Sequence, residues 1–176
     1  MRIINLIVVH CSATRGDCTL SPEDLDRLHR RRGFNGTGYH YYIRKDGTVH
    51  LTRPIERIGA HAKGFNAHSI GICYEGGLDC RGHPADTRTP AQRATLRQLV
   101  GQLQEKFSGC RVCGHRDLSP DLNGNGEIEP EEWIKQCPCF EVAKEFKELE
   151  EFAIKTENTE EHRVTPVSYT HLTLPT

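Results

Sequence analysis

The chain carries ten histidines and eight cysteines among its 176 residues. Imidazole and thiolate are the side chains that ligate borderline metals and exchange protons near neutral pH. Three of them stand where separate segments could converge: His10 closes an apolar run, His115 follows another from Cys110 to Gly114, and Cys137 lies in the loop that His115 opens. Side chains at the strand ends of an α/β sheet meet at one edge although they are far apart in the chain. Two imidazoles and one thiolate there suit zinc with a fourth position left for water, the pattern of a catalytic rather than a closed structural site. Zinc so held would bring the pKa of a bound water to about 7, making hydroxide available as a nucleophile near neutral pH. A competing arrangement joins Cys110-x-x-Cys113 and Cys137-x-Cys139 into a four-thiolate structural site. It gives His10 and His115 no reason for their placing, and alternation along the strand sets Cys113 and His115 on one side and Cys110 on the other.

A second metal signal lies inside the same loop. Asp121 to Glu132 matches the twelve-position calcium loop, with Asp121, Asn123 and Asn125 at positions 1, 3 and 5, Gly126 at 6, Glu127 at 7, Ile128 at 8 and Glu132 at 12. The lack of a convincing incoming helix and of a paired second loop argues against a calcium sensor. The two readings are a structural calcium that pins the segment carrying Lys135 and Cys137, and an Asn-Gly-rich turn that folds without an ion.

The elements that must position these groups are well punctuated. Ile3 to Cys11 is apolar at nearly every position, as a strand covered on both faces should be. Ser21 as N-cap and Pro22 at the first helical position open a helix through about Arg32, with Arg30, Arg31 and Arg32 complementing its dipole and Gly33 ending it. Tyr39 to Arg44 and Thr48 to Leu51 flank Lys45-Asp46-Gly47, which predicts a hairpin. Ser69 to Tyr74 is another buried strand. Thr89 and Gln92 have capping-box spacing ahead of a helix with Leu96, Leu99, Val100, Leu103 and Phe107 on one face. Phe140 to about Ala153 reads as a final charged helix. Strands alternating with helices, with a hairpin among them, predict a single-domain α/β fold: a central mixed β-sheet flanked by α-helices.

Lys and Arg number 23 against 24 for Asp and Glu, a net charge of −1, so no basic field exists to draw in nucleic acid or an anionic membrane. No apolar run approaches the ~18 residues of a membrane span. The N-terminal apolar stretch lacks a small-residue cleavage site, so the expectation is a monomeric protein made in the cytoplasm without export signal. The folded domain is expected over residues 1–153, followed by a polar tail over 154–166. The last ten residues, VSYTHLTLPT, read as translated adapter sequence rather than native protein, so 167–176 are set aside.

Five short motifs occur in order: His10-Cys11-Ser12-Ala13-Thr14, Gly38-Tyr39-His40-Tyr41, Gly59-Ala60-His61-Ala62-Lys63-Gly64-Phe65-Asn66, Gly114-His115-Arg116-Asp117 and Lys135-Gln136-Cys137-Pro138. In this set the chain resembles the type 2 N-acetylmuramoyl-L-alanine amidases, zinc enzymes of peptidoglycan that include phage endolysins and the catalytic peptidoglycan recognition proteins. The resemblance runs from about Ile3 to Phe140. It implies the amidase/peptidoglycan recognition protein-like fold, zinc ligands at His10, His115 and Cys137, catalytic roles for Tyr39 and Lys135, and a substrate-pocket role for His61. It also implies peptidoglycan as partner and an endolysin-like activity, made in the cytoplasm and released to the wall. A cytoplasmic amidase recycling muropeptides, or a non-catalytic peptidoglycan-binding module, are the alternatives. Binders of this type lack the cysteine ligand, and Cys137 is present. Cys11, Cys113 and Cys139 depart from the pattern as extra thiols beside the ligands and make oxidation a liability.

Overall fold

The computed structural model describes residues 2–147; the expected tails at 154–166 and 167–176, and the end of the final helix, lie outside them. The first strand, β1 (Leu6–Cys11), is buried at all six positions. It is followed by a two-residue strand β2 (Thr14–Arg15), helix α1 (Pro22–Arg31), the hairpin strands β3 (Tyr41–Ile43) and β4 (Val49–Leu51), and β5 (Ser69–Tyr74). Then come β6 (Gly77–Leu78), α2 (Pro90–Lys106) and β7 (Arg111–Gly114). The sheet order is β4-β3-β5-β1-β7, with β2 and β6 forming a separate parallel pair. All neighbours in the larger sheet are parallel except the β3–β4 hairpin, so the mixed sheet expected from the sequence is the one observed.

The helices start where their caps predict. Ser21 Oγ accepts from Asp24 N ahead of α1, and Thr89 and Gln92 exchange both bonds of a capping box ahead of α2, each satisfying amides that the first turn leaves free. The hairpin turns on Gly47, whose φ of 86° is left-handed and open to glycine at little cost. Helical structure also runs through 142–147.

Alternation along the strands divides the sheet into two unlike faces. Ile7, Val9, Ile70, Ile72 and Tyr74 point toward Leu96, Leu99, Val100 and Leu103 of α2 in the main apolar core. Leu6, Val8 and Cys113 point the other way, beside Cys73 and Tyr42, which pack against Leu25 of α1. His10 follows Val8 onto this second face, and the registers Val8↔Gly71 and His10↔Cys73 fix what lies beside it. Cys110 belongs to the α2 face and Cys113 to the opposite one, which corrects the four-thiolate alternative: the sheet separates its members. The sequence offers no signal for β2 and β6, because two-residue strands carry no periodicity. Among the described residues no helix is long and apolar enough to cross a membrane.

Candidate active site

The ends of β1 and β7 and the returning loop bring His10, His115 and Cys137 together, with one ligand atom from each lying within 4.8 Å of the others. This is the one such group of His, Cys, Asp and Glu among the described residues. Two donors bound to a single ion at ~2.0–2.3 Å can stand at most about 4.6 Å apart, and His10 Nδ1 lies 3.9 Å from Cys137 Sγ. The Cys11 backbone N–H donates to that sulfur at 3.3 Å, which helps fix its position. The set therefore fits a borderline divalent cation.

Several contacts carry Cys137 to the sheet. Arg116 N donates to Cys137 O at 2.9 Å, and the Tyr74 hydroxyl donates to Pro138 O at 2.7 Å. Ile134 N donates to Ser119 Oγ at 3.1 Å, closing the base of the loop. The Arg116 guanidinium, itself buried, stacks 3.9 Å from the Trp133 ring centroid and pairs with Glu141.

Burial sets the electrostatics. The His10 pKa is driven well below its ordinary value by burial, with the His61, His115 and Lys135 charges adding to the fall. Burial brings His115 down to about 4, again aided by Lys135, and His61 down to about 3, aided by His40 and His115. All three imidazoles are thus neutral at pH 7, the form with a lone pair to give. Tyr39 is held protonated: burial raises its phenol pKa well above the usual value, with the Cys73, Cys137 and Cys11 thiols acting in the same sense. Its ring centroid lies 5.0 Å from that of His10.

Two adjoining cavities open on the cluster. One of about 510 Å³ is lined by Phe34, Ala60, Ala62, Phe65, Leu118 and Ile134, with Lys63, His115 and Lys135 among its polar groups. A smaller one of about 240 Å³ reaches Tyr39, His29, Arg32 and Cys137. Exposed Lys135 and nearly buried His61 line both. The structure therefore gathers Tyr39, His61 and Lys135 around the three ligand candidates. Arg32, read from the sequence as part of a helix-end charge cluster, lines the smaller cavity; its lone signal was position just before Gly33. Of the extra thiols, Cys11 Sγ lies 4.0 Å from Cys139 Sγ.

The Asp121–Glu132 loop lies apart from this group. The Asp121 carboxylate accepts from Gly124 N and Gly126 N at 2.6 and 2.8 Å. Glu132 accepts from Leu122 N, Asn123 N and Glu129 N at 2.7, 3.1 and 3.0 Å. Asn123 Oδ1 accepts from Asn125 N, and Asn125 Oδ1 from Glu127 N. These bonds close the loop on its own backbone.

A His–His–Cys set at a sheet edge, open to a cavity on one side, is the arrangement of hydrolases that recruit a cation against an unactivated bond. The sequence model of the N-acetylmuramoyl-L-alanine amidases matches residues 1–133, ending just short of Lys135 and Cys137. The endolysin of Klebsiella phage KP32 is 34% identical over 144 residues, covering 82% of this chain and 86% of that protein. Among solved structures, the N-acetylmuramoyl-L-alanine amidase LysC from Clostridium intestinale superposes with a TM-score of 0.64 at 30% identity, covering 84% of this chain and 85% of its own. Drosophila PGRP-LB shares the fold, with a TM-score of 0.61 at 21% identity over 84% of this chain and 81% of that one. The chain belongs to the N-acetylmuramoyl-L-alanine amidase family. Its activity is hydrolysis of the amide between N-acetylmuramic acid and L-alanine, and its substrate class is peptidoglycan.

Proposed function

We propose that the enzyme is a zinc amidase of the endolysin type, in which His10, His115 and Cys137 hold the metal and Tyr39 and Lys135 act on the substrate. The observation that carries this reading is the mutual approach of the three ligand atoms within 4.8 Å. Zinc bound there supplies a Lewis acid and makes hydroxide available near neutral pH. The chain's own groups account for the rest of the reaction. Water adds to the amide carbonyl carbon, negative charge gathers on the carbonyl oxygen, and the C–N bond breaks as the amine nitrogen takes up a proton. The Tyr39 phenol, kept protonated by burial, is a hydrogen-bond donor for that oxygen and a proton source for the leaving nitrogen. The exposed Lys135 side chain lines both cavities and adds positive charge where the oxyanion forms. The apolar side of the larger cavity takes the stem peptide through groove contacts, in keeping with a net charge of −1 that offers little long-range steering. We read the enzyme as a monomer acting on the cell wall, and the 121–132 loop as a turn closed by its own carboxylates rather than a site of calcium control.

Release of stem peptide from purified peptidoglycan by the metal-free and zinc-reloaded enzyme tests this. Zinc-dependent release is expected to fall at least 100-fold in Tyr39→Phe with zinc content unchanged. Tyr39→Phe at wild-type rate would remove the phenol from the mechanism, and no release by a zinc-loaded wild type would sink the hydrolytic reading. Faster turnover of intact sacculi than of soluble anhydro-muropeptide is the endolysin outcome, and the reverse order marks a recycling enzyme.

A further inference from the structure

Each imidazole has two nitrogens, and the site uses one of His10's. Its Nδ1 faces Cys137 Sγ at 3.9 Å, so Nε2 is left over and points into the protein. There it lies 3.0 Å from His61 Nδ1. At that separation the two nitrogens share a hydrogen bond, one of them donating and the other accepting. If His10 Nδ1 gives its lone pair to a cation, its hydrogen is on Nε2 and Nε2–H donates to His61 Nδ1. His61 then carries its own hydrogen on Nε2, 3.3 Å from Ser69 Oγ, which accepts it. The contacts form one directed chain from His10 through His61 to Ser69, and reversing any single link puts two donors face to face.

The rest of the fold holds His61 for this contact. Its ring fills a slot between two glycines: a Cβ on Gly71 would stand 2.6–2.9 Å from three ring atoms, and one on Gly59 would stand 2.5 Å from Cδ2. Asn66 Oδ1 accepts from both His61 N and Ala62 N at 2.9 Å, fixing the backbone below the ring. Only 9% of His61 is exposed, and both of its nitrogens are engaged inside the protein, which leaves no nitrogen free for a ligand in the cavity. This differs from the substrate-contacting role that the resemblance implies.

We propose that His61 is a positioning residue: it fixes the tautomer and ring orientation of His10, with Ser69 terminating the chain, and does not hydrogen-bond the substrate. The proposal rests on the reading of His10, His115 and Cys137 as the metal site. Partners of metal-ligating histidines raise affinity by about 10–100-fold. Zinc dissociation constants measured by chelator competition for wild type, His61→Ala and His61→Asn are the test, together with KM for a soluble muropeptide. His61→Ala is expected to bind zinc about 10–100-fold more weakly, with KM at saturating zinc unchanged. His61→Asn, whose Oδ1 can stand where Nδ1 did, is expected to recover most of that affinity. Zinc binding within twofold of wild type in His61→Ala, combined with a raised KM, would overturn the proposal in favour of a substrate contact. If the alanine variant does not fold, nitrogen-15 NMR of the zinc-loaded wild type decides. His10 is expected to carry a slowly exchanging proton on Nε2, and a proton on Nδ1 would overturn the assignment. A wild type that takes up no zinc overturns the metal reading itself and this proposal with it, whereas one tight zinc unaffected by His61 overturns this proposal alone.

Discussion

His40 makes the stability of this enzyme depend on pH in a way that a single substitution should expose. The side chain is fully buried. Nδ1 accepts from Gly71 N at 3.0 Å, so the ring's one hydrogen is on Nε2, which donates to Arg57 O at 3.0 Å. A proton added at Nδ1 would confront the Gly71 N–H. Burial, with the Arg2 and Arg53 charges and against the pull of the Arg57 carbonyl, lowers the His40 pKa from 6.5 to about 4. The unfolded chain therefore binds this proton at a higher pH than the folded one. The sign follows: the native state loses ground as pH falls below 6.5, and the loss is complete near pH 4. At 1.36 kcal/mol for each tenfold difference in proton affinity, this amounts to at most about 3 kcal/mol. In His40→Asn an amide oxygen can replace the Nδ1 acceptor, and nothing titrates. The variant should be less stable than wild type at pH 7, by roughly 1–3 kcal/mol for the lost ring contacts. Its deficit should then shrink by up to about 3 kcal/mol between pH 6.5 and 4, because every other titrating group is common to both proteins. Urea unfolding at half-unit pH steps with equal zinc loading measures the difference directly. A deficit that stays constant over that window, or widens toward acid, would refute the assigned hydrogen positions and the argument built on them.

Three further outcomes are expected. A Cβ on Gly38 would overlap the Ala60 carbonyl oxygen and stand 2.8 Å from its carbon, backbone against backbone. Gly38→Ala should therefore cost about 1–3 kcal/mol and most of the activity, since Tyr39 and His61 flank that contact. Gly101→Ala, in α2 with open space around it, should instead stabilise by roughly 0.5–1 kcal/mol; thermal melts of the two read the contrast. Arg88 is 5% exposed, pairs with Asp86 and bidentately with Glu145, and sits 3.2 Å from the Phe140 ring centroid. Arg88→Ala, which strands two carboxylates, should lose about 3 kcal/mol, seen as a lower urea midpoint; a loss under 1 kcal/mol would show that solvent screens the pairs. Finally, the 121–132 loop is closed by backbone bonds to Asp121 and Glu132. Millimolar calcium added to calcium-free, zinc-loaded enzyme should leave the melting temperature unchanged, and a concentration-dependent rise would establish the loop as a calcium site.

What the sequence disclosed and what it concealed divide along a physical line. Groups whose partners are near in sequence were legible. Ser21 and Thr89 cap helices from three residues away, and Asp46 accepts from Thr48 N to shape the hairpin turn. Two of the ligand candidates were legible for a related reason, because His10 closes and His115 directly follows a strand that its own apolar run announces, whereas Cys137 lies on the loop that returns to them. The polar interior was not. Glu75 is fully buried and accepts from Leu20 N and Arg44 Nε at 2.6 and 2.7 Å, and Gln92 donates from the opposite face to Ile43 O and Glu75 O. Nothing in their local sequence separates them from surface residues, since their burial costs little only once those distant partners are in place. The His10–His61 contact belongs to this hidden class. It spans 51 positions and depends on the parallel register that sets Gly71 beside Val8, leaving room for an imidazole where any Cβ would intrude. A one-residue slip of β5 would present Ile70 or Ile72 at that point and turn Gly71 to the α2 face. The two histidine ligands are therefore written strand by strand, whereas the orientation of His10 is a property of how two strands align.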